Sequence, residues 1–435
     1  MDISKARELK AQKGLQHCLV ICGVNSLKNN WKQEIALHSD ETCRVLGEKI
    51  SRNGRVTYGR IKDRADELKN ELDQFFIITN VESFRNEEMI KAFRKSKNKI
   101  DMIVIDEIHC CKNKNSQQGF NLLKLDAKYK IGATGTLLLN SPIDAYVPLS
   151  WTHNDMSNLT NFKKVYCQFG GFGGREIQGF KNMDLLKDEI ESCSLRRTKD
   201  LLDLPERTII NEVVEMDEKQ TKFYEDVENG VKKDVDKIKL NTSNLLSLLI
   251  RLRQATACPS MLSTKDIDSI KIDRCVELVE EIVSNGEKVV IMSTFVETLD
   301  KLMSKLESYK PLLCIGDTKD EDVEKYKKMF QEDDEHYVMV ATWKKMGTGH
   351  TLHRANYMIF LDTPWTYGLF DQNCDRIHRI GQHKPVFIYN LVCKGTVDEK
   401  IAYILSKKRA VSDFIVDDKM TDDEIKILKD YILDL

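Results

Sequence analysis

Nine short apolar runs, separated by charged segments of helical period, constrain this chain more than any other feature. They are CLVIC (18–22), FFIIT (75–79), MIVID (102–106), KIGAT (130–134), KVVIMS (288–293), PLLCIG (311–316), VMVAT (338–342), YMIFLD (357–362) and VFIYNLV (386–392). A continuous apolar run of this length marks a strand buried on both faces. Helix-period segments between such strands imply βαβ crossovers and parallel sheets. The runs fall into two groups, one ending near residue 136 and the other starting near 288. The expected fold class is therefore α/β, in two domains, and 435 residues suffice for each to bury its own core.

The stretch between the groups differs. Residues 216–257 are mostly strong helix formers without proline and read as a helical bridge. A mixed insert at 143–190 contains GGFGG (170–174). Glycine clusters cradle phosphate between a strand and a helix. No helix follows directly here, so a flexible hairpin tip is expected instead.

Charge excludes one class of function. With 67 Lys plus Arg against 69 Asp plus Glu, the formal net charge is −2, which rules out a globally basic nucleic-acid binder. A local basic groove remains open, because net charge does not report distribution. The apolar runs are too short to span a bilayer and the first residues lack the apolar core of a signal peptide. The expected location is intracellular: cytoplasmic, or nuclear in a eukaryote. The twelve cysteines form no CxxC pair. Cys18 and Cys22 share a strand face, next to His17, and are read as buried reduced thiols in preference to metal ligands.

Asp106 and Glu107 close the strand MIVID, in the string VIDEIHCCKN. Ligands of open α/β sheets bind beyond the carboxyl ends of the strands. An Asp there can hold Mg²⁺ and a neighbouring Glu can polarise water; the same pair also fits a solvated strand end. The next strand leads into Thr134-Gly135-Thr136, whose hydroxyls can sense those carboxylates or simply make a tight turn. In TWKKMGTGHTLHRAN (342–356), Gly347 and Gly349 stand where backbone must approach a ligand closely. In FDQNCDRIHRIGQHKP (370–385), Arg376 and Arg379 are three apart, the spacing of one helix face. Arginine's planar fork suits a developing phosphate charge, and Gln372, His378, Gly381 and Gln382 frame the pair.

On these strings the chain resembles a SWI/SNF-type ATPase of the superfamily 2 helicases. NSLKNNW (25–31), VIDEIH (104–109), GATGTLLLN (132–140), SLRRTKDLLDLPERT (194–208), RLRQATACP (251–259) and RIHRIGQ (376–382) carry the resemblance. YCQFGGFGG followed by KNMDLL is similar to the annealing-helicase branch. The resemblance implies two RecA-like lobes with helical protrusions between them: a first lobe at 1–215, a helical bridge at 216–270 and a second lobe at 271–435. It implies ATP and Mg²⁺ as cofactors, with Asp106 on the metal, Glu107 on water, and Arg376 and Arg379 reaching in from the second lobe. Gly347, Gly349 and Gln372 would line the nucleotide, and His109, Thr134 and Thr136 would couple it to movement. Ser26, Asn80 and Thr342 would contact a strand of duplex DNA, independently of sequence.

One departure stands out. The family carries a phosphate-binding loop, GxGKT, before its first helix, and no GxxxxGK[ST] occurs in this chain. DISKARELKAQK (2–13), with Ile3, Ala6 and Leu9 on one face, reads as the helix that such a loop enters. The first lobe is thus expected to be N-terminally truncated and the chain inactive alone. The alternatives are a catalytically silent DNA-binding or scaffold protein, or a subunit completed in trans by a fragment bearing the loop.

Overall fold

The computed structural model describes residues 2–23, 27–50, 56–135, 142–153, 158–170, 176–195, 197, 201–237, 242–264, 267–346, 351–365 and 367–411. It divides into two compact units, Met1–Arg197 and Thr198–Leu435. The first contains β1 (His17–Cys22), β2 (Cys43–Val45), β3 (Glu48–Ile50), β4 (Val56–Tyr58), β5 (Phe76–Asn80), β6 (Ile100–Asp106), β7 (Tyr129–Ala133), β8 (Cys167–Gly170) and β9 (Glu176–Phe180). The second contains β10 (Arg207–Val214), β11 (Val289–Ser293), β12 (Leu312–Cys314), β13 (Val338–Thr342), β14 (Tyr357–Phe360) and β15 (Val386–Cys393).

The main sheet of the first unit has the order β2-β5-β1-β6-β7, with every pairing parallel. That of the second is β10-β15-β14-β11-β13-β12, again parallel throughout. All nine apolar runs lie in these two sheets, so the two RecA-like α/β lobes expected from the sequence are what the chain forms. The alternation within β1 shows why its run is continuous. Leu19 and Ile21 pack on one side with the helices Ile61–Lys69 and Glu87–Arg94, while Cys18, Val20 and Cys22 pack on the other with Asp2–Lys13 and Leu27–His38. Each aliphatic side chain buried this way contributes about 1.5–3 kcal/mol. Cys18 and Cys22 are buried free thiols, and His17 Nδ1 pairs with the Gln74 carbonyl at 3.0 Å.

Two features differ from the expected domain plan. Arg207–Val214, placed by the sequence reading in a first lobe ending at 215, pairs residue for residue with β15 of the second sheet. The boundary between the units accordingly falls at Arg197. The helices of the expected bridge are present, at Glu218–Lys237 and Thr242–Ala257. Tyr224, Val231, Leu248, Leu249 and Leu252 pack in one core with Val290, Met292 and Met358 of the second sheet. The bridge helices therefore belong to the second unit.

The glycine-rich insert forms an antiparallel pair, β8 with β9, on either side of residues 171–175, which lie outside the described residues. No helix among the described residues is long and apolar enough to cross a membrane.

Candidate nucleotide and DNA site

In the first unit the chemistry gathers at the carboxyl ends of β1, β6 and β7. Asp106 ends β6, and Glu107 follows it at φ 53°, ψ 50°, in the left-handed region. A non-glycine residue held there costs about 1–3 kcal/mol and tends to mark a functional turn. The turn throws the chain into a short 3₁₀ segment, Ile108–Cys111, and brings His109 back over the strand ends. His109 Nδ1 lies 2.9 Å from Thr134 Oγ1 and 3.1 Å from Glu107 Oε2. Burial opposes the charged imidazolium, but bonding to Cys110 and Glu107 outweighs it and moves His109 upward. Glu107, His109 and Thr134 thus cluster at the ends of neighbouring strands, and the two described residues expected to couple, His109 and Thr134, are hydrogen-bonded to each other.

Asp106 is held from the side. Trp31 Nε1–H, on the helix Leu27–His38, donates to its Oδ2 at 2.8 Å, and the Glu107 backbone N–H supplies a second bond. Burial pushes the carboxyl up to about 6, the neighbouring charges of Glu107 and Asp2 add to the push, and the Trp31 bond opposes it. Asp2 is the first residue of the helix Asp2–Lys13, so the N-terminal end of that helix lies near this carboxylate.

Gly23 shows how tightly the strand ends are packed. A Cβ there would stand 2.7 Å from Glu107 Cβ and 2.9 Å from the Asp106 carbonyl. We expect Gly23→Ala to displace the Asp106–Glu107 turn and to cost about 1–3 kcal/mol, the usual range for overpacking. Thermal melting measures this, and an unchanged midpoint would show that the turn has room to move.

Asn80 ends β5. It is only 4% exposed, and its Oδ1 accepts from Arg64 Nη1 at 3.1 Å and from Ser83 Oγ at 2.5 Å. Its Nδ2 donates to Glu82 Oε2 at 2.5 Å. These bonds fix the turn that follows β5. Ser26, Thr136, Gly347 and Gly349 lie outside the described residues.

In the second unit, Thr342 ends β13 opposite Ser293 and is 8% exposed. Gln372 is half-buried on the helix Tyr367–Cys374. Arg376 and Arg379 do not share a helix face as their spacing suggested, because that helix ends at Cys374 and they lie in successive turns. Gln382 explains the change. Its Nε2 donates to the carbonyls of Ala355 at 2.8 Å and His353 at 2.9 Å, while its Oε1 accepts from the backbone of His383 and Lys384, both at 3.0 Å. Gly381, at φ +100°, permits the sharp reversal that these bonds require. His378 Nε2 meets the Pro205 carbonyl at 2.8 Å, and Arg207 bonds Asp371 at 2.7 Å. The LPERT and RIHRIGQ strings, far apart in sequence, are therefore packed against each other. Arg376 Nε donates to the Gln372 carbonyl at 3.1 Å.

A second buried network lies beyond β14. Asp362 accepts from Ser293 Oγ and Thr294 N, each at 2.7 Å. Arg253 lies 3.5 Å from Asp362 Oδ2, donates to the Thr363 carbonyl at 2.6 Å and stacks on Trp365 at 4.2 Å. Burial raises the Asp362 carboxyl and lowers the Arg253 guanidinium. Arg253 lies in the string RLRQATACP, and nothing in that string alone indicates this role.

These features can be set beside known proteins. The model of the SNF2-related domain matches residues 3–261, and that of the helicase conserved C-terminal domain matches 271–381. An uncharacterized ATP-dependent helicase of Mycoplasma genitalium is 28% identical over 342 residues, which cover 75% of this chain and 32% of that protein. The DNA repair and recombination protein RDH54 of Saccharomyces cerevisiae is 25% identical over 441 residues, covering 93% of this chain and 47% of that protein. The chain thus spans 32% and 47% of the length of these relatives. A Sulfolobus solfataricus SWI2/SNF2 ATPase core, solved in complex with dsDNA, is 24% identical with a TM-score of 0.44, over 98% of this chain and 87% of that one.

Proposed function

The chain belongs to the SNF2-related, helicase-type ATPase family, and on that premise we propose that it is the core of an ATP-driven motor that moves along duplex DNA. The observation that carries this reading is the turn at the end of β6. There an anchored Asp106, a left-handed Glu107 and the His109–Thr134 pair stand together at the carboxyl edge of a parallel sheet. Ligands bind at this edge in open α/β folds.

The residues fit a magnesium ion. Mg²⁺ is commonly held by one or two carboxylates together with phosphate oxygens and water. Asp106 keeps lone pairs beyond the two bonds that fix it. When bound, the ion would neutralise charge on the β- and γ-phosphates. Trp31 and the Glu107 backbone N–H hold the Asp106 carboxylate in place, Glu107 would orient a water and draw off its proton, and His109 would pass the state of that site to Thr134. Arg376 and Arg379 are assigned to charge on the transferring phosphate, and Gln372, Gly347 and Gly349 to the nucleotide. Thr136 joins the coupling set, and Ser26 and Thr342 the DNA contacts. The fit to the phosphates themselves is incomplete, since the sequence holds no GxxxxGK[ST] to supply a lysine and a nest of backbone N–H groups.

Duplex DNA is the proposed partner, gripped through its backbone and without regard to sequence. Anisotropy with labelled duplexes of unrelated sequence tests this at two salt concentrations. Affinity should be the same for all sequences and fall steeply with salt, because each phosphate contact releases a counterion. Failure to bind any duplex at low salt would remove the proposal.

A further inference from the structure

We propose that Trp31 is a positioning residue for the metal carboxylate: its indole N–H fixes Asp106 in the orientation that receives the cation. The inference rests on the motor reading above and extends it to a residue that lies 75 positions from Asp106 in sequence.

Trp31 sits one turn into the helix Leu27–His38, whose buried residues also include Leu27 and Ile35. These pack with Val20, Cys22 and Val104 on one side of the first sheet. The indole is itself buried, at 9% exposure, and a buried donor left without a partner is costly. That partner is Asp106 Oδ2, at 2.8 Å. The other tryptophans place their polar edges differently. Trp151 donates to the Leu125 carbonyl at 2.9 Å, the Trp343 N–H is buried without a partner, and Trp365 stacks on Arg253. Among the described residues, Trp31 is the tryptophan whose N–H meets a carboxylate.

The bond has a geometric consequence. A carboxylate at a strand end rotates about its Cβ–Cγ bond, and a cation needs one of its oxygens held in a fixed place. Trp31 ties down one oxygen from the helix side. Because the helix is anchored on the sheet, that oxygen is fixed relative to β1 and β6 together. Outer partners that orient a ligating carboxylate in this way commonly change metal affinity 10–100-fold when removed.

The test uses Mn²⁺ alone, an oxygen-seeking ion that substitutes for Mg²⁺. Electron paramagnetic resonance counts the bound ion, and ¹⁵N-indole resonances of the full chain report its location. Trp31→Phe identifies the Trp31 signal. In the wild-type chain we expect an Mn²⁺ site that disappears in Asp106→Ala, with the Trp31 indole signal broadening before the other three. Replacing Trp31 by 3-benzothienylalanine exchanges the N–H for sulfur while keeping the ring shape. It should weaken the Asp106-dependent site roughly tenfold without lowering the melting midpoint. Equal Mn²⁺ affinity in the substituted and wild-type chains would show that Trp31 only packs, and would leave Asp106 as a ligand. Absence of any Asp106-dependent site in the wild-type chain would overturn the metal assignment, and this inference with it.

Discussion

The 435-residue polypeptide by itself should release phosphate from ATP no faster with duplex DNA than without it. Fusing a segment that ends in GxGKT ahead of Asp2 should raise DNA-stimulated turnover by two orders of magnitude or more. The physical reason is the charge of the β- and γ-phosphates. Motors of this class hold them with a lysine and with backbone N–H groups of a glycine-rich loop. Loss of even one preorganised donor to a developing oxyanion typically costs 10²–10³ in rate, and here the sequence lacks the whole motif. Steady-state phosphate release on both polypeptides measures the difference. Robust DNA-stimulated hydrolysis by the 435-residue chain would mean that the phosphates are held by residues other than those proposed.

In the fused enzyme, Arg379→Ala should lower kcat by roughly 10³-fold or more, the range found for an arginine acting on a transferring phosphoryl group. Arg379 lies in a turn fixed by the Gln382 N–H, which donates to its carbonyl at 2.9 Å, and by the network around the Gln382 side chain. The guanidinium is thus presented from a rigid support. A group that acts in the transition state should change kcat more than the KM for ATP. Arg379→Lys keeps the charge but loses the planar fork and should fall between the two. Duplex binding should be unaffected. An equal loss of DNA affinity in Arg379→Ala would assign the residue to the DNA instead.

Sequence and structure agree where burial alone dictates the outcome. Leu19 and Ile21 face one core and Val20 the other, and no polar residue interrupts the run that records it. The two strands of the main sheets that the pattern does not mark lack that signature. Cys43–Val45 is only three residues long, and Arg207–Val214 carries Asn211 and Glu212 at the edge of its sheet. Spacing misled at Arg376 and Arg379 because a three-residue interval looks helical in any sequence, whereas here the side chain of Gln382 and the φ of Gly381 set the path. The bond from Arg64 to Asn80 was not legible, since the two lie sixteen residues apart on different elements. The Trp31–Asp106 bond was equally illegible, since nothing in either local string indicates that a helix carries one onto the other. What the strings did show was the residue types of the site, and Asp106, Glu107, His109 and Thr134 are indeed adjacent.

Triplex displacement by the fused enzyme tests the motor directly. A third strand bound to an otherwise ordinary duplex is stripped off by a protein that travels along the duplex, whether or not it separates the two strands. A motor of this kind should give displacement that requires ATP and Mg²⁺, occurs on any duplex sequence that carries the triplex, leaves the duplex paired, and is lost in Glu107→Gln. Hydrolysis of ATP on DNA with the third strand left in place would contradict it, as would displacement that persists in Glu107→Gln.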